Sequence, residues 1–210
     1  MNGLAAVVLN VAALLALSSV GERPTAAVQD AATAAAATVA DAHLDQRPLP
    51  SWEPGRDGDP DPVRRLMEAA SAVGSPGGLA TLLVGVALVD PDAALAGAQA
   101  LAGAGITTVT LKAILGRLRP STGAGAAAWT GPSPPDDARQ SLPSGHAALA
   151  GAVLGALGRS FPVGAPVLEG AAVLIGLSRV YLGRHWPTDV LAGHALGDWW
   201  AEAVASRGGA

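Results

Sequence analysis

Apolar and polar segments alternate along the 210 residues of the chain. The apolar segments cover residues 3–20, 76–89, 93–111, 146–158, 166–182 and 188–205. A helix needs roughly 20 predominantly apolar residues to cross the hydrocarbon core of a bilayer, and several segments reach this length only with their polar extensions. The pattern predicts an all-α fold, an integral membrane helical bundle of about six transmembrane helices.

The segments divide the chain into three predicted regions. Residues 1–20 are expected to form a retained N-terminal transmembrane helix, because the segment lacks a basic start and an Ala-x-Ala cleavage site. Residues 21–75 are expected to be an extramembrane insertion of helical and irregular structure, in which 62–73 has helical spacing and stops at Gly74-Ser75-Pro76. Residues 76–210 are expected to hold the core, with five transmembrane helices.

Composition supports a bilayer as the surrounding medium. Half of the residues are hydrophobic and only 14% are charged. The net charge of −4 offers no basic surface for nucleic acid, so we expect no nucleic-acid partner. The apolar mass is mainly Ala, Leu, Val and Gly, which suits close helix packing within one chain or between copies, so a homo-oligomer is possible.

The first polar cluster contains the only lysine of the chain. Lys112 stands seven residues before Arg119-Pro120, at the outer end of an apolar segment. In a continuous helix this spacing returns to nearly the same face after two turns, roughly 10 Å along the axis. Two long cationic side chains placed in this way can converge on one anion. The alternative is a pair of cations that extend from a helix end toward the membrane surface.

The second cluster is Pro143-Ser144-Gly145-His146, directly before an apolar helix. Backbone N–H groups and the helix dipole at such a start can bind an anion, and Ser144 adds a hydroxyl donor. His146 in the first turn is a candidate proton donor. The alternative is that Ser144 is a simple side-chain N-cap.

The third cluster follows at the end of the next apolar segment, with Ser178-Arg179, His185 and Asp189. Asp189 comes four residues after His185, close enough to accept from one ring nitrogen and leave the other free as a nucleophile. Arg179 can bind two phosphate oxygens at once, whereas Arg184 is expected to face solvent. The alternative is a structural His–Asp pair.

Counting crossings places the three clusters on one membrane face. Residues 121–142, between the first two clusters, form a predicted loop beside them that is expected to act as a lid or to select a headgroup. The arginines on the cluster side would, by the positive-inside rule, put this face inside the cell.

The three clusters together resemble the type 2 phosphatidic acid phosphatase superfamily, whose signature is K-x6-R-P, then P-S-G-H, then S-R-x5-H-x3-D. All three motifs are intact between Lys112 and Asp189. The resemblance implies that His185 is the nucleophile, His146 the general acid and Asp189 the carboxylate that orients His185. It also implies the residues that hold the phosphoryl oxygens, which are Lys112, Arg119, Ser144, the backbone of Gly145, and Arg179.

The resemblance implies a metal-independent membrane phosphatase with no cofactor, acting on a lipid phosphate such as phosphatidic acid, phosphatidylglycerophosphate or undecaprenyl diphosphate. It also leads us to expect a multi-pass protein of the cell membrane with an extracytoplasmic site, against the arginine count. Two alternatives are a vanadium-dependent haloperoxidase, which the apolar segments disfavour, and a catalytically idle lipid-binding protein, which the presence of His185 and Asp189 disfavours.

Overall fold

The computed structural model describes residues 62–132 and 136–208, so the predicted helix at 1–20 and residues 21–61 of the predicted insertion lie outside the described residues. Within the described ranges the chain forms six α-helices and three short 3₁₀ turns, with no strand beyond one isolated bridge. The helices are α1 Pro62–Val73, α2 Pro76–Ala87, α3 Pro91–Leu115, α4 Gly145–Ser160, α5 Ala165–Tyr181 and α6 Pro187–Gly208. The predicted all-α fold is confirmed.

Proline and small polar residues set the helix starts. α1, α2, α3 and α6 each begin at a proline, where the missing N–H costs nothing because no carbonyl precedes it in the helix. Ser75 caps α2 by accepting from the Gly78 N–H at 3.0 Å, and Asp90 caps α3 by accepting from the Ala93 N–H at 2.9 Å. The predicted helix at 62–73 has the bounds that its sequence spacing indicates.

Helix α4 is the centre of the bundle. It packs against α3, α5 and α6, and its residues are buried almost continuously from Ala147 to Leu157. Glycines bring α6 close to it: a Cβ on Gly197 would lie 2.3 Å from the Ala148 carbonyl oxygen, and one on Gly193 would lie 2.6 Å from the Ser144 carbonyl oxygen. The Gly193-x3-Gly197 spacing therefore allows two backbones to pack in direct contact.

Within the described ranges, two segments are long and apolar enough to cross a membrane, Pro91–Leu115 and Pro162–Tyr181. The pair α1–α2, which is bent by 67°, makes a third if it is counted as one broken span. The protein is a helical membrane protein, but the predicted number of about six spans is not confirmed. α4 has only 16 residues, roughly 24 Å of helix, and it is enclosed by other helices, so it does not need a lipid-facing surface of its own.

Helix α1 packs on α5, although the sequence analysis grouped it with the insertion. A Cβ on Gly74 would lie 2.2 Å from Ile175 Cγ2, and one turn away Ser71 contacts Arg179. The residue numbers rise along one helix as they fall along the other, so the two helices run antiparallel. The proposed division of the chain into three regions stays a prediction.

Candidate active site

The three polar clusters meet at one end of the bundle, where α3 and α5 end and α4 and α6 begin. Backbone hydrogen bonds connect them directly: the Ser144 N–H donates to the Asp189 carbonyl at 2.8 Å, and the Ser141 N–H donates to the Arg117 carbonyl at 3.0 Å. Arg119 Nη1 donates to the Arg184 carbonyl at 3.2 Å. The structure thus brings residues from four separate parts of the chain into one site.

The expected helical relationship between Lys112 and Arg119 is wrong. α3 ends at Leu115, and Gly116 adopts a left-handed conformation with φ 62°, so Arg119 lies beyond the helix. The turn needs glycine for two reasons, because a Cβ would be strained at this φ and would lie 2.1 Å from the Gly131 carbonyl oxygen. The chain then returns toward Lys112, and the two cations are near enough to interact electrostatically.

Loop contacts hold both cations in place. Lys112 Nζ donates to the Gln140 carbonyl. Arg119 Nη2 contacts Asp137 Oδ1 at 2.6 Å, and its Nε donates to the Asp137 carbonyl at 2.7 Å. Burial lowers the pKa of Arg119, and the nearby Asp137 opposes this shift. The cationic side chains are therefore fixed before any anion arrives.

Ser144 is not a simple side-chain N-cap. It occupies the N-cap position of α4, but its side chain makes no capping hydrogen bond. The residue is fully buried, and its Oγ has no hydrogen-bond partner among the described residues. A buried hydroxyl without a partner costs about 1–3 kcal/mol, so its position at a helix N-terminus favours the anion-donor interpretation.

His146 is half-buried in the first turn of α4. It lies within electrostatic range of the cations of the first and third clusters and of His185. His146 is therefore close enough to the candidate nucleophile and to the same cations to interact with them electrostatically.

His185 is almost completely buried, with 2% of its surface exposed. Burial lowers its pKa to about 4, the neighbouring Asp189 opposes the shift, and Lys112 and Arg119 add to it. The imidazole is therefore neutral at neutral pH, which is the form that can act as a nucleophile. Its Nδ1 lies 3.6 Å from Asp189 Oδ2, longer than a hydrogen bond but short enough for the carboxylate to bias the ring.

Asp189 has partners that the sequence analysis did not include. Its Oδ1 accepts from Arg117 Nη1 at 2.7 Å, and its Oδ2 accepts from Ser141 Oγ at 2.5 Å. Oδ2 also accepts from the Trp186 N–H at 2.9 Å. Asp189 is the third residue of α6, and its side chain thus binds the backbone of the residue that precedes the helix. The helix-start pattern Pro-Thr-Asp could have indicated the last contact, but nothing local indicates the first two.

Arg179 extends from the last turn of α5, and its Nη1 donates to Ser71 Oγ. Its Nε is buried without a hydrogen-bond partner among the described residues, which leaves a donor for an anion. Its neighbour Ser178 is fully buried and donates to the Ile175 carbonyl at 2.6 Å, so this serine of the motif is engaged within α5. Arg184 is exposed, as expected.

Residues 93–206 match the PAP2 superfamily. The chain belongs to the PAP2 superfamily. The matched range contains all three motifs and every residue of the candidate site except Ser71, which lies before it.

Two curated relatives and one solved structure are similar to this PAP2 chain. A lipid A 1-phosphatase from Rhizobium etli is 35% identical over 103 residues, which cover 48% of this chain and 44% of the relative. An undecaprenyl-diphosphatase from Sulfolobus acidocaldarius is 38% identical over 89 residues, 42% of each chain. The chain thus spans less than half the length of these relatives.

The solved structure is a transmembrane PAP2 type phosphatidylglycerolphosphate phosphatase from Bacillus subtilis. It covers 100% of this chain and 97% of its own, with a TM-score of 0.53 and 22% sequence identity. At this level of identity the similarity establishes the shared fold.

Proposed function

We propose that this PAP2 protein is a membrane phosphatase that hydrolyses the phosphomonoester or pyrophosphate of a lipid phosphate through a phosphohistidine intermediate. The observation that carries the proposal is the buried His185 beside Asp189, next to a cradle formed by Lys112, Arg119, Arg179 and the start of α4. Such a cradle can stabilise the charge on phosphoryl oxygens as it develops.

The reaction has two balanced steps. In the first, the ring nitrogen of His185 that does not face Asp189 attacks phosphorus, and the bond from phosphorus to the lipid oxygen breaks. The negative charge of the bound phosphate favours the protonated form of His146, which gives its proton to the leaving oxygen. In the second step, water attacks the phosphohistidine, neutral His146 accepts the proton from the water, and inorganic phosphate leaves.

Side chains can supply all the positive charge that this reaction needs. Lys112, Arg119 and Arg179 converge on the site, and the N–H group of Gly145 lies there at the start of α4. In the ranges 62–132 and 136–208, no three His, Cys, Asp or Glu side chains group as metal ligands. We therefore include no metal or cofactor in the mechanism.

The substrate class follows from the site's position at one end of a membrane bundle. A phosphate headgroup can enter the polar end while the hydrophobic tail stays between lipids. The names of the relatives fit this class, since lipid A 1-phosphate, undecaprenyl diphosphate and phosphatidylglycerolphosphate all carry a phosphate on a lipid.

The test is phosphate release by the purified full-length protein in detergent with EDTA present. A panel of phosphatidic acid, phosphatidylglycerophosphate and undecaprenyl diphosphate would identify the substrate, and rapid quenching with labelled substrate should trap an acid-labile, base-stable phosphoprotein. His185→Ala should lose both signals, whereas His43→Ala, outside the motifs, is the matched control. Undiminished turnover in His185→Ala would exclude the mechanism, and a panel without any turnover would exclude the activity.

We also propose that the site faces the extracytoplasmic side of the cell membrane. Because the chain has no cysteine, single cysteines can report on each side. Ser121→Cys lies in an exposed part of the loop at the site, and Ser206→Cys is exposed near the far end of α6. An impermeant maleimide applied to intact cells should label the first and spare the second; the reverse pattern would place the site inside.

A further inference from the structure

Arg117 lies inside the first motif but is not one of its defining residues. Only 4% of its surface is exposed, and its guanidinium donates hydrogen bonds on two sides. On one side Nη1 donates to Asp189 Oδ1 and to Thr188 Oγ1, both at 2.7 Å. On the other side Nε and Nη2 donate to the Ala126 carbonyl at 3.0 and 2.7 Å.

The Ala126 carbonyl belongs to loop 121–130, which contacts the site through Arg117. The loop is attached at its base, where the Leu118 N–H donates to the Ala128 carbonyl at 3.0 Å and the Thr130 N–H donates to the Gly116 carbonyl at 2.8 Å. Residues 121–125 are exposed. The loop therefore has a fixed base, an exposed tip and a middle held mainly by Arg117.

Aromatic rings enclose the same guanidinium. The carbon Cζ of Arg117 lies 5.2 Å from the ring centroid of Trp129, in the loop, and 5.8 Å from that of Trp186, next to His185. Cation–π contacts with both rings restrict the guanidinium further. Displacing the loop would thus displace Arg117, Trp129 or both.

The Asp189 carboxylate cannot rotate independently of Arg117. Oδ1 is engaged by Arg117, and Oδ2 is engaged by Ser141 and by the Trp186 N–H, so any rotation breaks charge-assisted hydrogen bonds. The same carboxylate lies beside His185 Nδ1. A change at the loop can therefore reach Asp189 through the hydrogen bonds of Arg117, and it can reach His185 through the 3.6 Å approach of the Asp189 carboxylate to its Nδ1.

We propose that Arg117 is a positioning residue that couples loop 121–130 to the Asp189 carboxylate, so that the loop and the orientation of His185 are set together. This inference rests on the proposed phosphatase function. When a lipid headgroup contacts loop 121–130, the contact should change the turnover number as well as the affinity for the lipid.

A double-mutant cycle tests the coupling. Gly125 has φ 82° and no atom within 4 Å of an added Cβ, so Gly125→Ala strains the loop without a steric clash. Arg117→Lys keeps a positive charge for Asp189 but cannot also bind the Ala126 carbonyl in a fork. Gly164→Ala, at a glycine that also has open space but lacks a positive φ, is the matched control.

With dioctanoyl phosphatidic acid in detergent, we expect Gly125→Ala to lower kcat about fivefold and to change KM less than about twofold. Arg117→Lys should lower kcat about tenfold, and adding Gly125→Ala to it should cost less than about twofold more, because the coupling is already lost. Gly164→Ala should be silent in both backgrounds. If the two losses multiply, or if they appear in KM alone, the proposal is wrong.

A second measurement covers the case in which Arg117→Lys does not fold, and it does not depend on catalysis. Coupling is reciprocal, so removing the charge of Asp189 should loosen the loop. In an Asp189→Asn background, the maleimide reaction of Ala126→Cys, at a half-buried position of the loop, should accelerate at least about threefold, while that of Ser206→Cys should not change. An unchanged rate at position 126 would overturn the coupling, even if the protein hydrolyses lipid phosphates. Conversely, a faster rate in a protein without phosphatase activity would contradict only the proposed function.

Discussion

Arg179 on α5 donates a hydrogen bond to the hydroxyl of Ser71 on α1, 108 residues earlier in the chain. One turn along α1, Gly74 allows the helix to approach Ile175 so closely that an added Cβ would lie 2.2 Å from its Cγ2. The two contacts fix α1 against α5 and give one phosphate-binding cation a partner outside the three motifs. α1 is therefore part of the wall of the site.

Replacing Ser71 by alanine should weaken phosphate binding. Without the hydroxyl, the Arg179 guanidinium loses the partner that orients it. The binding free energy of phosphate should become less favourable by about 1 kcal/mol, which is about fivefold in affinity. We expect KM for a lipid phosphate and the inhibition constant of inorganic phosphate both to rise by about this factor. Ser206→Ala, exposed on α6, should change neither value. Unchanged constants in Ser71→Ala would mean that Ser71 only supports packing.

The close packing of α6 on α4 predicts that a larger residue at position 197 destabilises the protein. In Gly197→Ala the new methyl would lie 2.3 Å from the Ala148 carbonyl oxygen and 2.7 Å from the Ala152 nitrogen, so the two backbones must separate. Overpacking of this kind costs about 1–3 kcal/mol or more, and we expect a lower unfolding midpoint in detergent together with lost activity.

The control for this substitution is Gly170→Ala, in the middle of α5. A Cβ there meets no atom within 4 Å, and alanine favours a helix over glycine by about 0.5–1 kcal/mol. This variant should be as stable as the original protein or slightly more stable. Equal unfolding midpoints for the two variants would show that the close contact at Gly197 does not matter.

Local signals in the sequence account for most of the helix boundaries. Pro62 and Gly74 delimit α1, and Ser144-Gly145 marks the start of α4, because proline, glycine and serine act on the residues next to them. The grouping of the three motifs at one end was also predictable, since it follows from the order of the apolar segments. The Gly116 turn was not, because glycine is tolerated within a helix and becomes a helix end only through its packing against Gly131.

Contacts between distant residues are the part that could not be predicted. Arg117 and Asp189 are 72 residues apart, and Ser141 and Asp189 are 48 apart, so no spacing rule relates them. The sequence suggested one partner for Asp189, whereas the fold gives its carboxylate three hydrogen bonds and places His185 slightly farther away. A buried carboxylate needs such partners, but which residues supply them depends on how the helix ends meet.

The buried His185 predicts a dependence of stability on pH. Its pKa is lowered to about 4 by burial, whereas an unfolded histidine has a pKa of about 6.5. Between these values the proton binds only to the unfolded chain and stabilises it. The free energy of unfolding therefore keeps its full value, as far as His185 is concerned, above about pH 6.5, and it decreases as the pH falls toward 4. The thermal unfolding midpoint should therefore be lower at pH 5 than at pH 7.

His185→Asn isolates this contribution from that of other groups. Asparagine has similar polarity but does not titrate, so the fall of the midpoint between pH 7 and pH 5 should be smaller in the variant. Parallel falls in the two proteins would mean that His185 is as accessible to protons in the folded state as in the unfolded chain.

Because Lys112 is the only lysine, amine acylation of the folded protein reports on one side chain and on the N-terminus. Lys112 Nζ donates to the Gln140 carbonyl, and the proposed site places it against a phosphoryl oxygen, so a bound oxyanion should cover it. With saturating orthovanadate, we expect acylation of Lys112 to slow at least about tenfold, since a bound anion lets the reagent reach only the free fraction. The N-terminal amine provides the internal control, and mass spectrometry of the two peptides measures both rates. Equal slowing at both amines would indicate that vanadate consumes the acylating reagent. If vanadate does not slow the acylation of Lys112, the assignment of Lys112 to the phosphate site is wrong.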